Sequence, residues 1–163
     1  MRVMTLGVGD LAAAHAPGTI IKTLALGSCV AVLFLDPQTR TVGMAHIALP
    51  ESKINKRKAL EKPGYFVDTG IAALMEEMNR VGCKGNGKGM IVKLVGGAKI
   101  IMDSNSMFNI GRRNVLAVKK MLWSMGTGVT AEDVGGSISR SVALDGDTGE
   151  VVISSLGRDD WSI

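Results

Sequence analysis

The fold is decided by the stretch TIIKTLALGSCVAVLFL, residues 19–35. Both ends of the stretch, residues 19–24 and 30–35, are rich in β-branched and other apolar residues and have the length of a strand. Between them stand Gly27 and Ser28, small residues that suit a tight turn. The stretch therefore predicts two neighbouring strands, with Cys29 lifted to the beginning of the second one.

A third strand is predicted over residues 41–49, because a turn and a proline mark its two ends. The segment DPQT, residues 36–39, has proline at the position that β-turns favour, and Pro50 stops the apolar run. The short turn brings this strand back alongside residues 30–35. We therefore expect His46 to project toward the strand end that carries Cys29.

Two helices are predicted further along the chain. Asp68 is the expected N-cap of the first, which ends at Gly82, and Asn109 is the expected N-cap of the second, which ends at Gly126. Apolar residues repeat at helical spacing in both. They are Ile71, Leu74, Met75, Met78 and Val81 in the first helix, and Val115, Val118, Leu122 and Met125 in the second.

The order of strands and turns predicts the fold class. Closing strands are expected over residues 90–95, 128–134, 137–144 and 151–154. Short turns join most neighbouring strands, which favours antiparallel pairing. We predict an α+β fold, a single-domain sandwich of largely antiparallel or mixed β-sheets flanked by two main helices, with residues 1–163 as one domain.

The composition is that of an ordinary globular protein. Of the 163 residues, 46% are hydrophobic and 21% charged, which argues against an intrinsically disordered chain. No apolar run reaches the roughly 18 residues needed to cross a bilayer, and the N-terminus has no signal-peptide pattern. With two cysteines and no export signal, we expect a cytoplasmic protein with reduced thiols and no membrane insertion.

Basic residues cluster in residues 51–64, a segment that is predicted to be a charged loop. Five lysines and arginines stand there against two glutamates, whereas the formal net charge of the whole chain is only +4. The cluster indicates either a solvated loop or an electrostatic contact with an acidic partner, and the sequence leaves both open. Nucleic acid is not an expected partner, because few aromatic residues accompany the charges.

Two glycine-rich segments imitate nucleotide-binding motifs. Residues 7–12, GVGDLA, fit a dinucleotide-binding pattern, but Pro17 leaves no room for the long helix that this pattern requires. Residues 82–88, GCKGNGK, nearly spell a P-loop, but Gly89 stands in place of the magnesium-binding Ser or Thr. The two cysteines and two histidines lack the spacing of a zinc site. We expect no nucleotide, metal or other cofactor.

A catalytic site is indicated by Cys29 together with His46, which stands seventeen residues further along the chain. A cysteine, an imidazole base and a third polar group that orients the imidazole form the minimum apparatus for acyl transfer. The residues alone leave a structural alternative open: Cys29 as a small buried hydrophobe, His46 as a core histidine and Thr23 as an ordinary strand residue.

Six segments together resemble CheD, a family of chemoreceptor glutamine deamidases. They are TLALGSC (23–29), GMAHIALP (43–50), YFVDTG (65–70), KLVGGAKI (93–100), IGRRN (110–114) and EDVGGSISR (132–140). The resemblance covers residues 18–152. It implies that Cys29 is the nucleophile, His46 the base and Thr23 the third member. Gly27 and Ser28 would shape the turn, and the N–H groups of Ser28 and Cys29 would hold the oxyanion.

The resemblance also implies the reaction and the partners. The substrate would be specific glutamine side chains of chemotaxis receptors, converted to glutamate through a thioester with release of ammonia. Hydrolysis of a glutamyl methyl ester at the same site is chemically feasible, because the acyl-enzyme would be identical. A CheC-type phosphatase is the implied regulatory partner. The alternatives are a non-catalytic adaptor, a general cysteine protease, and Ser28 instead of Cys29 as nucleophile.

Overall fold

Two five-stranded sheets face each other in the computed structural model, which describes residues 1–85, 88–100 and 109–163. The first sheet has the order β1-β3-β8-β9-β10, with β1 Arg2–Leu6, β3 Thr19–Leu26, β8 Arg140–Asp145, β9 Val151–Ser154 and β10 Trp161–Ser162. The second has the order β2-β5-β4-β6-β7, with β2 Leu11–His15, β5 Thr41–Ile47, β4 Val30–Asp36, β6 Ile91–Gly96 and β7 Ala131–Val134.

Three helices accompany the sheets in the described part of the chain. They are α1 Lys56–Glu61, α2 Val67–Arg80 and α3 Ile110–Ser124. The strand pairs β1–β3 and β6–β7 are parallel, and the other strand pairs in the two sheets are antiparallel. The predicted α+β class, with mixed sheets and two main helices, is therefore confirmed.

The two faces of the second sheet belong to two different parts of the core. One face packs against α2 and α3, and the buried residues of this layer include Val32 on β4, Ile71 on α2 and Val118 on α3. The other face packs against the first sheet, where Met44 on β5 meets residues such as Ile21 on β3. Strand β5 is buried along its whole length because both of its faces are covered.

Some predicted boundaries are wrong. Residues 51–64 are not a loop: they contain α1 between two short 3-10 turns, and the side chain of Asn55 caps α1 by accepting a hydrogen bond from the Lys58 N–H. Asp68 is not an N-cap. It lies in the first turn of α2, behind the N-cap residue Phe66, and accepts hydrogen bonds from the backbone and the hydroxyl of Ser52.

Other differences concern the sheet edges. Neither β2, over residues 11–15, nor the last strand, β10, is predicted from the sequence. Strands β7 and β8 begin three residues later than expected, at Ala131 and Arg140. The segment 82–88 that imitates a P-loop lies partly outside the described residues. Asn109 occupies the N-cap of α3 as predicted, in the left-handed conformation with φ 49°.

Candidate active site

Cys29 and His46 face the same layer of the molecule, between the two sheets. In the antiparallel pair β4–β5, His46 lies directly opposite Ala31. Cys29 stands two residues before Ala31, and alternate residues of a strand share a face. Accordingly, the half-buried Cys29 packs against the cluster that contains Ala31 and Met44. The thiol and the imidazole are thus diagonal neighbours across two adjacent strand ends.

Thr23 reaches the same point from the opposite sheet. Its Oγ1 is 2.7 Å from Nδ1 of His46 and donates a hydrogen bond of 2.8 Å to the carbonyl oxygen of Leu6. Since the hydroxyl proton points at Leu6, the hydroxyl oxygen accepts from Nδ1–H of His46. The proton of a neutral imidazole is then on Nδ1, and Nε2 is the basic nitrogen.

A backbone bulge positions Thr23. In the β3–β8 pair, Thr23 lies opposite Val142 and Leu26 opposite Arg140, so the register shifts by one residue between them. Ala25 sits within this bulge in the left-handed conformation, at φ 56°, and its N–H donates to the hydroxyl of Ser141. The bulge allows Thr23 and Leu26, three residues apart, both to face the interior.

The basic nitrogen of His46 has no local partner. The histidine is almost fully buried, and among the described residues nothing forms a hydrogen bond with Nε2. An unsatisfied buried polar group destabilises a fold by about 1–3 kcal/mol, so such a group demands an explanation. Nε2 lies on the face that it shares with Cys29, although no hydrogen bond joins it to the thiol.

Burial sets the charge state of the pair. It raises the pKa of the Cys29 thiol to about 11. Burial also lowers the pKa of His46, while the negative charge of Asp10 works weakly in the opposite direction. Near neutral pH both groups are therefore uncharged, as a thiol and a neutral imidazole.

The backbone around Cys29 is fixed by the loop that follows β6. The N–H of Gly97 donates to the carbonyl of Cys29, and the N–H of Ala98 donates to the carbonyl of Gly27, both at 2.8 Å. Gly96 has φ 115°, and a β-carbon there would collide with the Cys29 carbonyl. The glycines at positions 96 and 97 thus allow a close backbone approach at Cys29.

Asn114 joins the two strand ends that carry the thiol and the imidazole. This fully buried side chain projects from α3, and its Nδ2 donates to the carbonyl of Ser28 at 3.0 Å and to that of Ala48 at 2.9 Å. Ser28 precedes Cys29, and Ala48 follows His46 by two residues. Sequence reasoning does not find this link, because Ser28 and Ala48 precede Asn114 by 86 and 66 positions and nothing near Asn114 marks the contact.

The turn between β1 and β2 supports His46 from the other side. The N–H of His46 donates to the carbonyl of Asp10, and the N–H of Gly9 donates to the carbonyl of His46. The Asp10 carboxylate forms an ion pair of 3.0 Å with Lys62. Residues 7–12, which imitate a dinucleotide motif, thus hold the backbone of the histidine, a role that sequence reasoning missed.

A second buried polar group fastens the sheets together away from this site. Arg140 on β8 donates from Nε to Asp133 on β7 at 2.9 Å and from Nη1 to the carbonyl of Gly135. Trp161 on β10 donates to the same carboxylate. These contacts join the two sheets and give Asp133 and Arg140 a structural role. No cluster of metal-ligating side chains occurs in the part of the chain that the structure describes.

The family model and the curated relatives that match this chain agree on one family. A family model described as "CheD chemotactic sensory transduction" matches residues 48–155. A protein of Syntrophotalea carbinolica named "Probable chemoreceptor glutamine deamidase CheD" is 50% identical over 163 residues, the whole of both chains. Thr23, Cys29 and His46 precede the residues that the family model matches and lie within this full-length alignment.

Two further relatives show the same resemblance at lower identity. "Probable chemoreceptor glutamine deamidase CheD 2" of Anaeromyxobacter dehalogenans is 42% identical over 95% of this chain and 96% of its own. "Chemoreceptor glutamine deamidase CheD" of Thermotoga maritima is 41% identical over 93% of this chain and 91% of its own. In the described residues, no helix combines the length and the apolar character needed to cross a membrane.

Proposed function

Because this chain belongs to the CheD family, we propose that it converts glutamine side chains of chemoreceptors to glutamate with release of ammonia, using Cys29, His46 and Thr23. The names of the relatives support the enzyme class and the receptor substrate. One observation supports the residues. The hydrogen bond from His46 to Thr23 leaves the basic Nε2 without a partner among the described residues, on the face that carries Cys29.

The first half of the reaction forms a thioester. The Sγ of Cys29 attacks the carboxamide carbon of the substrate while Nε2 of His46 takes the thiol proton, which yields a tetrahedral oxyanion and an imidazolium ion. The oxyanion is held by the N–H groups of Ser28 and Cys29. Neither N–H donates to another group within the described residues. The imidazolium then protonates the amide nitrogen, the C–N bond breaks, and ammonia leaves.

The second half returns the enzyme to its starting state. A water molecule loses a proton to Nε2 of His46 and attacks the thioester carbon. The C–S bond breaks, the sulfur regains the proton from the imidazolium, and glutamate is released. No cofactor takes part in either half. A glutamyl methyl ester would give the same thioester with methanol as the leaving group, so a methylesterase side activity belongs to the same proposal.

The resting charge state determines what the base must do. With the Cys29 pKa raised to about 11 by burial, the thiol is not ionised in advance. The proton therefore moves to His46 as the S–C bond forms, and the oxyanion donors stabilise the charge that develops. Thr23 contributes a neutral acceptor, which orients the imidazole but stabilises the imidazolium less than a carboxylate would.

A direct assay separates this proposal from the adaptor alternative. The purified chain is incubated with a cytoplasmic chemoreceptor fragment, and the conversion of glutamine to glutamate is read by mass spectrometry while ammonia is measured in parallel. We expect both products in equal amounts, and neither with the His46→Ala variant. A wild-type chain that binds the fragment but releases no ammonia would favour the adaptor.

Family membership also supports a proposal about the wider setting. We propose that residues 1–163 act as one catalytic domain in the cytoplasm. The receptor substrate implied by the family is a long helical bundle there, which presents the glutamine on the surface of a helix. A CheC-type phosphatase is the proposed regulatory partner. Co-purification of the two proteins, together with a change in deamidation rate on addition of the phosphatase, tests this part of the proposal.

A further inference from the structure

The outer face of α3 combines positive charge with large exposed apolar side chains. Helical geometry places Leu116 and Trp123, seven residues apart, along one line. Leu116 is 55% exposed and Trp123 is 82% exposed. Arg112 and Lys119 flank this line on one side, and Arg113 and Lys120 flank it on the other. These six exposed residues, called the α3 face below, share a helix that contains no aspartate or glutamate.

The two apolar residues of the α3 face do not contribute to the core. The opposite side of α3 buries Val115, Val118 and Leu122 against α2 and the second sheet. Leu116 and Trp123 therefore lie outward with no packing role in the described structure. Exposed apolar side chains with a rim of charge are typical of surfaces that bind another protein, and tryptophan is over-represented among the residues that dominate such binding.

The charge of the α3 face is only partly neutralised by its surroundings. Glu132 on β7 forms an ion pair of 2.8 Å with Lys119. Glu51 and Asp68 border the groove beside Lys120. Glu51 is neutralised by its ion pair with Lys53, so Glu132 and Asp68 are the carboxylates that oppose the four cations of the face. The face therefore stays cationic, and its best complement is an acidic surface with an apolar stripe.

The α3 face begins at the proposed active site. Arg112, at the N-terminal end of this face, lines a cavity together with Gly97, and the N–H of Gly97 donates to the carbonyl of Cys29. Gly111, beside Arg112 on the buried side of the helix, packs closely on the carbonyl of Gly97. Asn114 on the next turn holds Ser28. From Gly111 the helix runs twelve residues to Trp123, about 18 Å at the rise of an α-helix. A long helical substrate seated at Cys29 can therefore lie along this face.

We propose that the α3 face docks an acidic helix of the same chemoreceptor whose glutamine reacts at Cys29. This inference rests on the proposed function and adds the recognition surface. The partner helix places apolar residues against Leu116 and Trp123 and carboxylates against the flanking cations. Docking away from Cys29 affects binding of the substrate, not the chemical step.

The test measures affinity separately from activity. The Cys29→Ala variant is titrated with the receptor fragment, with and without the charge reversal R113E/K120E. The matched control K56E/R57E makes the same charge change on α1. Lys56 and Arg57 belong to the basic segment that the sequence also offered as a contact. We expect R113E/K120E to weaken binding by at least about tenfold at low salt, and the control by less than about twofold.

A second variant tests the apolar residues of the α3 face without altering its charge. W123S is expected to raise the KM for the receptor fragment by about tenfold, with kcat unchanged, because an exposed residue far from Cys29 contributes to uniform binding. Unchanged affinity for R113E/K120E, or an equal loss in K56E/R57E, would overturn the docking proposal. Absence of glutamate formation by the wild-type chain would instead refute the proposed function, while the titration still reports on docking.

Discussion

Thr23 and His46 belong to different sheets, yet Oγ1 of Thr23 lies 2.7 Å from Nδ1 of His46 in the buried layer between them. Thr23 also donates to the Leu6 carbonyl, which leaves its oxygen to accept from the imidazole. One hydrogen bond thus fixes the tautomer of the proposed base and depends on the packing of the two sheets. Activity and sheet packing are therefore expected to be linked.

The first prediction concerns that hydrogen bond. Thr23→Val keeps the shape of the side chain but removes the acceptor of Nδ1–H, so the imidazole loses its fixed tautomer. We expect kcat for receptor deamidation to fall by about 100-fold, at the low end of what a positioned general base contributes. Thr23→Ser, which retains the hydroxyl, is the control. Activity of the valine variant within twofold of wild type would contradict the orienting role.

The second prediction concerns Asn114. Its removal leaves the carbonyls of Ser28 and Ala48 without their buried donor, which destabilises the fold by about 1–3 kcal/mol for each unsatisfied group. For Asn114→Ala we expect both a lower free energy of unfolding and a loss of kcat at temperatures where the variant is fully folded. Val118→Ala, from the buried side of the same helix, is the matched control. The Val118→Ala variant should lose stability while retaining kcat. Equal kcat in the two variants would show that Asn114 does not position the catalytic residues.

A third prediction concerns stability in alkali. The pKa of Cys29 is raised by burial from its ordinary value of 9.0 to about 11. The unfolded chain therefore releases the thiol proton first, and the folded state loses stability as the pH rises from 9 toward 11. Chemical denaturation of wild type and Cys29→Ala across this range should show a steeper loss in wild type. Parallel curves would mean that the thiol is not desolvated.

His46 gives the corresponding expectation in acid. Burial lowers the pKa of His46 in the folded protein, so the unfolded chain is protonated at this histidine first as the pH falls. The free energy of unfolding therefore decreases as the pH falls from the ordinary pKa of 6.5 toward the lower pKa of the folded state. For the same reason, deamidation should persist below pH 6.5. The low-pH limb of kcat/KM measures this directly, and a limb above pH 6.5 would contradict a buried neutral base.

The fourth prediction concerns the bulge that carries Thr23. Ala25 adopts φ 56°, a conformation that costs an alanine about 1–2 kcal/mol. Ala25→Gly removes this penalty and adds about 0.5–1 kcal/mol of chain entropy cost, so we expect a net gain of up to about 1 kcal/mol in the free energy of unfolding. Ala31→Gly, at a position without positive φ, is the control and should destabilise. A clear loss of stability in Ala25→Gly would show that the bulge is not strained.

Much of the fold could be predicted because its signals are local. The apolar runs at residues 19–24 and 30–35, the turn at residues 36–39 and the helical repeats each depend on neighbours in sequence. What failed depended on distant partners. Asp68 looked like an N-cap, but its carboxylate accepts hydrogen bonds from Ser52, sixteen residues away. The short helix α1 was missed because its basic residues dominated the interpretation of the segment.

The candidate site, like the fold, could be predicted only in part. Cys29, His46 and Thr23 were selected by a resemblance that spans several segments, and the structure places His46 and Thr23 in contact. Asn114 and the turn at Asp10 bind backbone carbonyls and amides, which every residue possesses. The contacts with Ser28, Ala48 and His46 therefore cannot be predicted from the residue types. The bulge at Ala25 could not be predicted either, since alanine rarely adopts a left-handed conformation.

Mass spectrometry of a chemoreceptor fragment, after incubation with wild type, Cys29→Ala and Cys29→Ser, tests the central claim most directly. The account predicts conversion of glutamine to glutamate by the wild-type chain alone, although both variants remain folded and bind the fragment. Conversion by folded Cys29→Ala at the wild-type rate would contradict the claim that this sulfur is the nucleophile.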